Sequence, residues 1–290
     1  MINFIAEVSS NHNQSLERCL KFVDTASDIG CSSIKFQLFK IDRLFSHEVL
    51  SQSKEHRDRV DWELPLEFIP EIYERCQKKE ILFSCTPFYI DAVDELFPYV
   101  DFFKVASYEL LWDDLLIKCA QSGKPVIIST GMANLDEIKH AVNILQSNGC
   151  NDPQILHCSS AYPTPIESAN LAAIKTIRNH TDCEVGWSDH TVSEAVILSS
   201  ILKWNAAVIE FHMDLDGKGY EFSKDGHCWL PSQIKDLIEK VKLIQIADGD
   251  GNKTPNIHEL SDRDWRADPS DGLRPSLKIR NEFNLSKKKI

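Results

Sequence analysis

Short apolar runs rich in β-branched residues alternate with amphipathic stretches along most of the chain, and this alternation constrains the fold more than any other feature. The first run, Ile2–Val8, precedes a stretch with apolar residues at helical spacing that stops at Gly30. The strand-like runs are Ile2–Val8, Ser33–Leu38, Ile81–Cys85, Phe102–Val105, Val126–Ser129, Gln154–Cys158, Glu184–Trp187 and Ala207–Phe211. The helix-like stretches include Ser15–Ile29, Leu66–Lys78, Asp91–Leu96, Asp113–Gln121, Leu171–Ile177, Ser193–Leu202 and Ser232–Ile246, with a capping box at Asn134 opening another that ends at Gly149.

Eight strand–helix units in about 250 residues predict an α/β fold, a closed (β/α)8 TIM barrel. The alternative is a doubly wound open sheet, which usually carries a glycine-rich turn after an early strand; the sequence contains no GxGxxG. We therefore expect one barrel domain over residues 1–247 and a short irregular tail over 248–290 that forms no separate domain. The charged stretch Lys40–Pro65 is long for a βα connection, which favours a lid over the barrel mouth rather than a solvated insertion.

The charge balance narrows the classes of partner. The chain has 32 Lys plus Arg against 44 Asp plus Glu, a net charge of −12. General nucleic-acid and anionic-membrane binding depend on basic surface, so we expect neither, whereas a small anionic substrate stays compatible. No apolar run approaches the roughly 18 residues that span a bilayer, and the N-terminal run reaches Glu7 after too few apolar residues for a signal peptide, so we expect neither. The nine scattered cysteines therefore indicate reduced thiols in a cytoplasmic protein.

Polar residues recur where the predicted strands end, which is the edge of a barrel that carries the chemistry. Lys35 and Lys104 belong to this set, and a barrel interior does not bury ammonium groups without a partner. With Ser107, Ser129 and Ser188 nearby, the two lysines favour a phosphate or carboxylate site. The alternative is that each lysine pairs with a local carboxylate, such as Glu7 or Glu109.

His190 and His212 end adjacent predicted strands, so their imidazoles can converge on one metal ion. First-row divalent metals suit imidazole ligands, and two histidines leave positions for water and substrate. Asp189 or Glu210 is expected to orient one of these ligands. A pair of hydrogen-bonded core histidines is the alternative, and the nearby lysines and serines favour the metal.

Six motifs, in order along the chain, resemble those of the sialic acid synthase family over roughly residues 2–246. They are Glu7-Val-Ser-Ser-Asn-His-Asn13, Ile34-Lys-Phe-Gln37, Ser84-Cys-Thr-Pro-Phe88, Ser129-Thr-Gly-Met132, His157-Cys-Ser-Ser-Ala-Tyr-Pro-Thr-Pro165 and Trp187-Ser-Asp-His-Thr191. The resemblance implies a (β/α)8 enzyme that condenses phosphoenolpyruvate with an N-acetylated amino sugar such as N-acetylmannosamine. The products are a nine-carbon 2-keto sugar acid and phosphate, and the cofactor is a divalent metal, Mn²⁺ or Mg²⁺.

The same resemblance assigns expected roles to individual residues. Phosphoenolpyruvate would be held by Lys35, Lys104, Ser107, Ser129 and Ser188, and the metal by His190 and His212. The acceptor sugar and the remaining wall would be contacted by Glu7, Asn11, Gln37, Thr86, Glu109, Ser160 and Tyr162. Catalysis would fall to Lys104, which stabilises the leaving phosphate, and to Glu109 or Glu210, which open the sugar ring or activate water.

The sequence departs from the family pattern at two places. Family members commonly carry a C-terminal antifreeze-like domain, and we expect the tail segment Arg263–Pro275 to fold over the barrel and replace part of its sugar contact here. After the last strand, Asp225 or Glu221 is expected to stand for a family acid that contacts the sugar, with His227 as an extra metal ligand. The resemblance also implies a homodimer. A different deoxy amino sugar, of legionaminic or pseudaminic type, and an inactive sugar-binding barrel are the alternatives.

Overall fold

The parallel strands close into a barrel in chain order, as the alternation of the sequence predicts. The computed structural model describes residues 2–287, without the side chains of 223–225 and 283–287. Within these residues eight strands form the barrel, each hydrogen-bonded to its sequence neighbours and β1 to β8. The strands are β1 Asn3–Glu7, β2 Ser33–Leu38, β3 Leu82–Pro87, β4 Phe102–Val105, β5 Val126–Ser129, β6 Gln154–His157, β7 Val185–Asp189 and β8 Val208–His212. The prediction of a (β/α)8 TIM barrel is confirmed.

Helices follow the strands and bury one face against them. Ser15 caps the first helix by accepting a hydrogen bond from the Arg18 backbone N–H, and the predicted capping box at Asn134 is present. The α-helices are α1 Leu16–Asp28, α2 Ile41–Leu44, α3 His47–Gln52, α4 Lys54–Asp58, α5 Ile69–Lys79, α6 Ile90–Leu96, α7 Asp113–Gln121, α8 Leu135–Ser147, α9 Ala173–Thr181, α10 Glu194–Leu202, α11 Tyr220–Asp225, α12 Pro231–Asp248 and α13 Leu277–Lys287. Short 3-10 helices lie at Ser9–His12, Arg59–Trp62, Leu66–Phe68, Ser107–Glu109, Ile166–Ser168, Ile257–Glu259 and Arg263–Trp265.

The barrel interior is divided into an apolar layer and a polar layer. The apolar layer is one small cluster of inward-facing side chains: Ile5, Phe102, Ile127, Leu156 and Val208. Side chains of a strand alternate between its two faces, so the residue two positions further also points inward. Those positions are polar on four of these strands: Glu7, Lys104, Ser129 and Glu210. The strand period therefore places the polar residues together, at the carboxyl end of the barrel.

The stretch between β2 and α5 is more ordered than a plain loop. It contains α2, α3 and α4, and its C-terminal part is held by hydrogen bonds from Gln14, which precedes α1. Gln14 Nε2 donates to the carbonyl oxygens of Val60 and Glu63 at 3.0 and 3.2 Å. We call residues 39–65 the β2–α5 segment. Six of its residues line the cavity described below, in agreement with the expected position over the barrel mouth.

The chain divides into two compact units, Met1–Leu243 and Ile244–Ile290. Within the second unit, aspartates organise the turns. Asp268 accepts hydrogen bonds from the Ser270 and Leu277 backbone N–H groups, and Arg280 Nη1 lies 2.6 Å from Asp271 Oδ2. The expectation that this tail contacts the sugar stays a prediction.

The cysteines and the lengths of the helices bear on the expected environment of the protein. The nine cysteines are all unpaired and buried, in agreement with reduced thiols. Among the described residues, no helix combines the length and apolar character that crossing a membrane requires.

Candidate active site

A cavity of about 670 Å³ opens at the carboxyl ends of the barrel strands. Most of the residues that the sequence predicted for the site line this cavity. They are Glu7, Lys35, Gln37, Lys104, Ser107, Glu109, Ser129, Tyr162, Ser188, His190, Glu210 and His212. Seven of the eight strands, with the loops that follow them, thus bring together side chains as far apart in the sequence as Glu7 and His212.

Four predicted binding residues are placed elsewhere or are not described. Thr86 does not line the cavity; its hydroxyl accepts a hydrogen bond from Lys35 Nζ at 3.2 Å. Asn11 is buried, and its Oδ1 accepts from the backbone N–H of Glu221 at 2.9 Å. The Ser160 hydroxyl is buried with no hydrogen-bond partner among the described residues. Asp225 belongs to the residues whose side chains the structure does not describe.

The two buried lysines share carboxylates in the barrel interior. Lys35 forms an ion pair with Glu7, and its Nζ lies 3.8 Å from Glu210 Oε2. Lys104 Nζ lies 3.4 Å from Glu210 Oε1, which also accepts from Ser188 Oγ at 3.0 Å. The pairing that the sequence left open as an alternative is present, with Glu210 rather than Glu109 as the partner of Lys104. A substrate anion would therefore join an existing network of charges.

These contacts shift two carboxyl groups in opposite directions. Burial raises the pKa of Glu210, but Lys104 and Lys35 outweigh burial and lower it to about 2. Burial dominates at Glu109 and raises its pKa to about 7, against the charge of Lys104. Glu210 is therefore a fixed anion near neutral pH, whereas Glu109 can gain or lose a proton there.

The two predicted metal ligands end neighbouring strands. His190 follows β7 and His212 ends β8, and their ring centroids are 5.2 Å apart. His190 Nδ1 lies 2.7 Å from the Ser159 carbonyl oxygen, and His212 Nδ1 lies 2.8 Å from Glu221 Oε2. Each acceptor holds the proton on Nδ1, and across the described residues no hydrogen-bond partner occupies either Nε2.

This pair fits a divalent metal. Burial, reinforced by His212, lowers the pKa of His190 to about 3, so its imidazole is neutral and able to bind an ion. Burial also lowers the pKa of His212, but the Glu221 carboxylate outweighs burial and leaves this pKa above its usual value. Metal-bound histidines commonly donate the other ring N–H to a carboxylate or carbonyl oxygen, as both do here.

The partner of His212 differs from the one expected. We expected Asp189 or Glu210 to orient a histidine, but Asp189 accepts hydrogen bonds from the indole N–H groups of Trp187 and Trp229 at 3.0 Å. Glu210 is engaged by the lysines. The orienting carboxylate is Glu221, for which the sequence suggested a sugar contact. The expectation was wrong because Glu221 lies beyond the strand, in α11, where no strand period applies.

A further group of ligand-type side chains lies beside His212. One donor atom from each of His212, Glu221, His227 and Cys228 lies within 4.8 Å of the others. Glu221 Oε2 is the shared neighbour, 3.4 Å from His227 Nε2 and 4.0 Å from Cys228 Sγ. His227 also lines the cavity, as a possible extra ligand should. These residues meet because the chain returns after α11 and Trp229 pairs with Met213.

Aromatic side chains form part of the wall, and apart from Tyr162 the sequence predicted no role for them. They come largely from the β2–α5 segment and from neighbouring loops: Phe39, Phe45, Trp62, Phe88, Tyr108 and Tyr220. Tyr162 packs on His190 with ring centroids 4.3 Å apart. The cavity thus combines a charged floor with an aromatic rim, which suits a ligand that has an anionic end and a larger neutral part.

Comparison with known proteins agrees with this site. The chain is 36% identical over 259 residues to the uncharacterized protein MJ1065 of Methanocaldococcus jannaschii, covering 87% of this chain and 73% of that protein. It is 33% identical over 272 residues to an N,N'-diacetyllegionaminic acid synthase of Campylobacter jejuni, covering 88% and 80%. The crystal structure of an N-acetylneuraminic acid synthetase from Leptospira borgpetersenii superposes with a TM-score of 0.78 at 30% identity, covering 90% of both chains. The NeuB family model matches residues 22–253. The chain therefore belongs to the NeuB family, in agreement with the resemblance of its motifs to the sialic acid synthases.

Proposed function

We propose that this protein condenses phosphoenolpyruvate with an N-acetylated amino sugar, N-acetylmannosamine or a similar one, in a metal-assisted transferase reaction. C3 of phosphoenolpyruvate bonds to the aldehyde carbon of the open-chain sugar, and the aldehyde oxygen takes up a proton. Water adds at C2, and the C2–O bond to phosphate breaks. One phosphoenolpyruvate, one sugar and one water thus give one nine-carbon 2-keto sugar acid and one phosphate. The observation that carries this proposal is that two buried lysines face one cavity together with two histidines whose Nε2 atoms have no hydrogen-bond partner within the described part of the chain.

The lysine side of the cavity is the proposed site for phosphoenolpyruvate. Lys35 and Lys104 supply the positive charge, and Ser107, Ser129 and Ser188 supply hydroxyl donors. Ser129 supports this role because its buried hydroxyl has no hydrogen-bond partner among the described residues. The lysines are fixed before substrate arrives, so they can stabilise the departing phosphate with little reorganisation.

The histidine side is the proposed site for the divalent metal, Mn²⁺ or Mg²⁺. His190 and His212 would hold the ion through their Nε2 atoms. Bound there, the ion supplies Lewis-acid polarisation of the sugar aldehyde. Four acidic side chains line this cavity, Glu7, Glu109, Glu210 and Glu221, against three cationic ones, Lys35, Lys104 and Arg59. A divalent cation offsets that excess of negative charge and so favours an anionic substrate.

Glu109 is the proposed proton-transfer group. It lines the cavity, and its Oε2 is buried with no hydrogen-bond partner among the described residues. A carboxyl with a pKa of about 7 is matched to general acid or base work near neutral pH. Glu210 is the weaker candidate, since its low pKa and its two lysine partners keep it ionised.

The proposal has two versions, which differ in the acceptor sugar. Two of the relatives named above are synthases of legionaminic and N-acetylneuraminic acid, so both sugar types are candidates. The sugar would contact Tyr162, Glu109 and the aromatic wall. Cytoplasmic location and a homodimer stay predictions. A barrel that only binds sugar is the second candidate function, which the buried, charged lysine network disfavours because burying such charges is costly.

The test is phosphate release from phosphoenolpyruvate with Mn²⁺ present. N-acetylmannosamine, its 6-phosphate and deoxy amino-hexose analogues are each offered with and without a chelator. We expect sugar-dependent, chelator-sensitive release that His190→Ala and Lys104→Ala abolish. Lys118→Ala is the matched control, since Lys118 pairs with Asp94 at the surface, at 2.8 Å.

Each outcome has a definite reading. The sugar that gives the fastest release names the product. Phosphate release that is unchanged by the chelator would contradict the proposed role of the metal. Phosphate release without sugar would contradict the proposed condensation. If no sugar supports release, calorimetry of phosphoenolpyruvate binding decides: tight binding indicates a different aldose, and no binding indicates an inactive barrel.

A further inference from the structure

The imidazole of His212 donates its Nδ1 proton to a half-buried carboxylate that belongs to a different element of the fold. His212 ends β8, and Glu221 lies in the first turn of α11. The distance from His212 Nδ1 to Glu221 Oε2 is 2.8 Å, which is typical of a charge-assisted hydrogen bond. This bond fixes both the tautomer and the orientation of the ring, and it leaves the Nε2 lone pair for a ligand.

Glu221 is itself held on several sides. Its Oε1 accepts a hydrogen bond from Ser9 Oγ, and its backbone N–H donates to Asn11 Oδ1 at 2.9 Å. Asn11 Nδ2 in turn donates to the Met213 carbonyl oxygen at 3.1 Å. The approach of Asn11 depends on Gly219, because a Cβ there would lie 2.3 Å from Asn11 Oδ1. The loop after β1 and the chain after β8 therefore build a rigid cradle for this one carboxylate.

The two proposed metal ligands have unlike supports. His190 donates to a neutral acceptor, the Ser159 carbonyl oxygen, at 2.7 Å, whereas His212 donates to an anion. A carboxylate partner increases the electron density on the opposite ring nitrogen more than a carbonyl does. We propose that Glu221 is a positioning residue that makes His212 the stronger of the two metal ligands. This inference rests on the proposed function for the presence of the ion, but the role of Glu221 is testable without substrate.

A competing arrangement uses the same residues as direct ligands. His212, Glu221, His227 and Cys228 would then surround an ion on the Nδ1 side of His212. The geometry favours positioning, because Glu221 Oε2 occupies the hydrogen-bonding position of Nδ1 and Cys228 Sγ is 4.0 Å from that oxygen. Tetrahedral zinc sites keep thiolate ligands about 2.3 Å from the ion, so Cys228 provides the clearest means of distinguishing the two arrangements.

The experiment measures binding of Co²⁺ and Mn²⁺ to the full chain, with no substrate present. Glu221→Gln keeps the size and a hydrogen-bond acceptor but removes the charge, and we expect metal affinity to fall about 10- to 100-fold. Asp113→Asn is the matched control, because it removes the charge from an exposed His–carboxylate contact, His140 Nε2 to Asp113 Oδ1 at 2.9 Å, that lies outside the cavity. We expect the control to bind both ions with the affinity of the original protein.

Two results would overturn the proposal. One is unchanged metal affinity in Glu221→Gln; the other is a sulfur-to-Co²⁺ charge-transfer band that disappears in Cys228→Ser, which would make the cluster a direct ligand set. If Glu221→Gln does not fold, Ser9→Ala tests the same bond, because it frees the carboxylate to rotate and should weaken metal binding several-fold. Metal binding that follows these expectations while phosphate release fails would contradict the condensation and leave the role of Glu221 intact.

Discussion

Lys104 and Glu210 are joined across the width of the barrel, with 3.4 Å between Nζ and Oε1, although β4 and β8 lie on opposite sides of it. Glu210 also faces Lys35, so one carboxylate balances two buried ammonium groups. The proposed anion site uses the same charges as this network, so anion binding and the stability of the barrel are expected to be linked.

Removing that carboxylate should destabilise the protein. In Glu210→Gln the two lysines keep their charges and lose their shared partner, so we expect the free energy of unfolding to fall by about 3 to 5 kcal/mol, measured by denaturant titration. Added phosphate should restore part of the loss. Glu194→Gln, which breaks an exposed pair with Lys240, should cost less than about 1 kcal/mol. Equal losses in the two variants would contradict the proposed network.

Glu109 should make stability depend on pH. Its pKa is about 7 in the folded protein against 4.5 unperturbed, so the folded state binds this proton more tightly than the unfolded state. Stability should therefore fall as the pH rises from 4.5 to 7, by up to about 3 kcal/mol from this group. Glu109→Gln should lack that decrease, and unfolding titrations of both proteins from about pH 4 to about pH 8 measure the difference. Parallel curves would contradict the raised pKa.

Gly131 should tolerate no side chain. A Cβ at this position would lie 2.1 Å from Ser160 Oγ and 3.0 Å from Ser107 Oγ, which accepts the Gly131 backbone N–H at 2.9 Å. We expect Gly131→Ala to lower the free energy of unfolding by about 1 to 3 kcal/mol. The double variant Gly131→Ala, Ser160→Gly should recover much of that loss relative to Ser160→Gly alone, as thermal unfolding would show. No recovery would mean that the strain lies elsewhere.

Gln14 should hold the β2–α5 segment in place. Its amide makes two hydrogen bonds to that segment, worth about 1 to 2 kcal/mol together. In Gln14→Ala we expect faster proteolysis within the segment and a raised KM, with a smaller effect on kcat. Asn13→Ala is the control, since Asn13 Nδ2 donates to Lys218 instead. Unchanged proteolysis of Gln14→Ala would show that packing alone retains the segment.

The barrel and the polar residues of the cavity could be predicted from the periodicity of the strands. Ile5 and Glu7, Phe102 and Lys104 stand two positions apart, so the pattern alone places both polar residues on the inner face. The barrel and most of the cavity wall were predicted for this reason. The positions of His190 and His212 beside the cavity were predictable because each residue comes at the end of a strand.

Contacts made outside the strands were not predictable in the same way. Glu221 reaches His212 through the path of the chain after β8, which no local period encodes. The pairing of Lys104 with Glu210 rather than Glu109 depends on distances across the barrel. The aromatic wall was missed because Phe45 and Trp62 lie in a segment whose charged sequence resembles solvent-exposed loop.

Because of the β2–α5 segment, the ionic part and the aromatic part of the cavity wall come from different parts of the chain. The ionic side chains of the cavity come mainly from strands spread over the whole barrel, whereas much of the aromatic rim comes from one contiguous stretch of chain. A single exchange of residues 39–65 would therefore replace much of the rim while leaving the strand ends untouched. The proposed acceptor preference is thus expected to be modular, open to change by exchange of one short contiguous piece of chain.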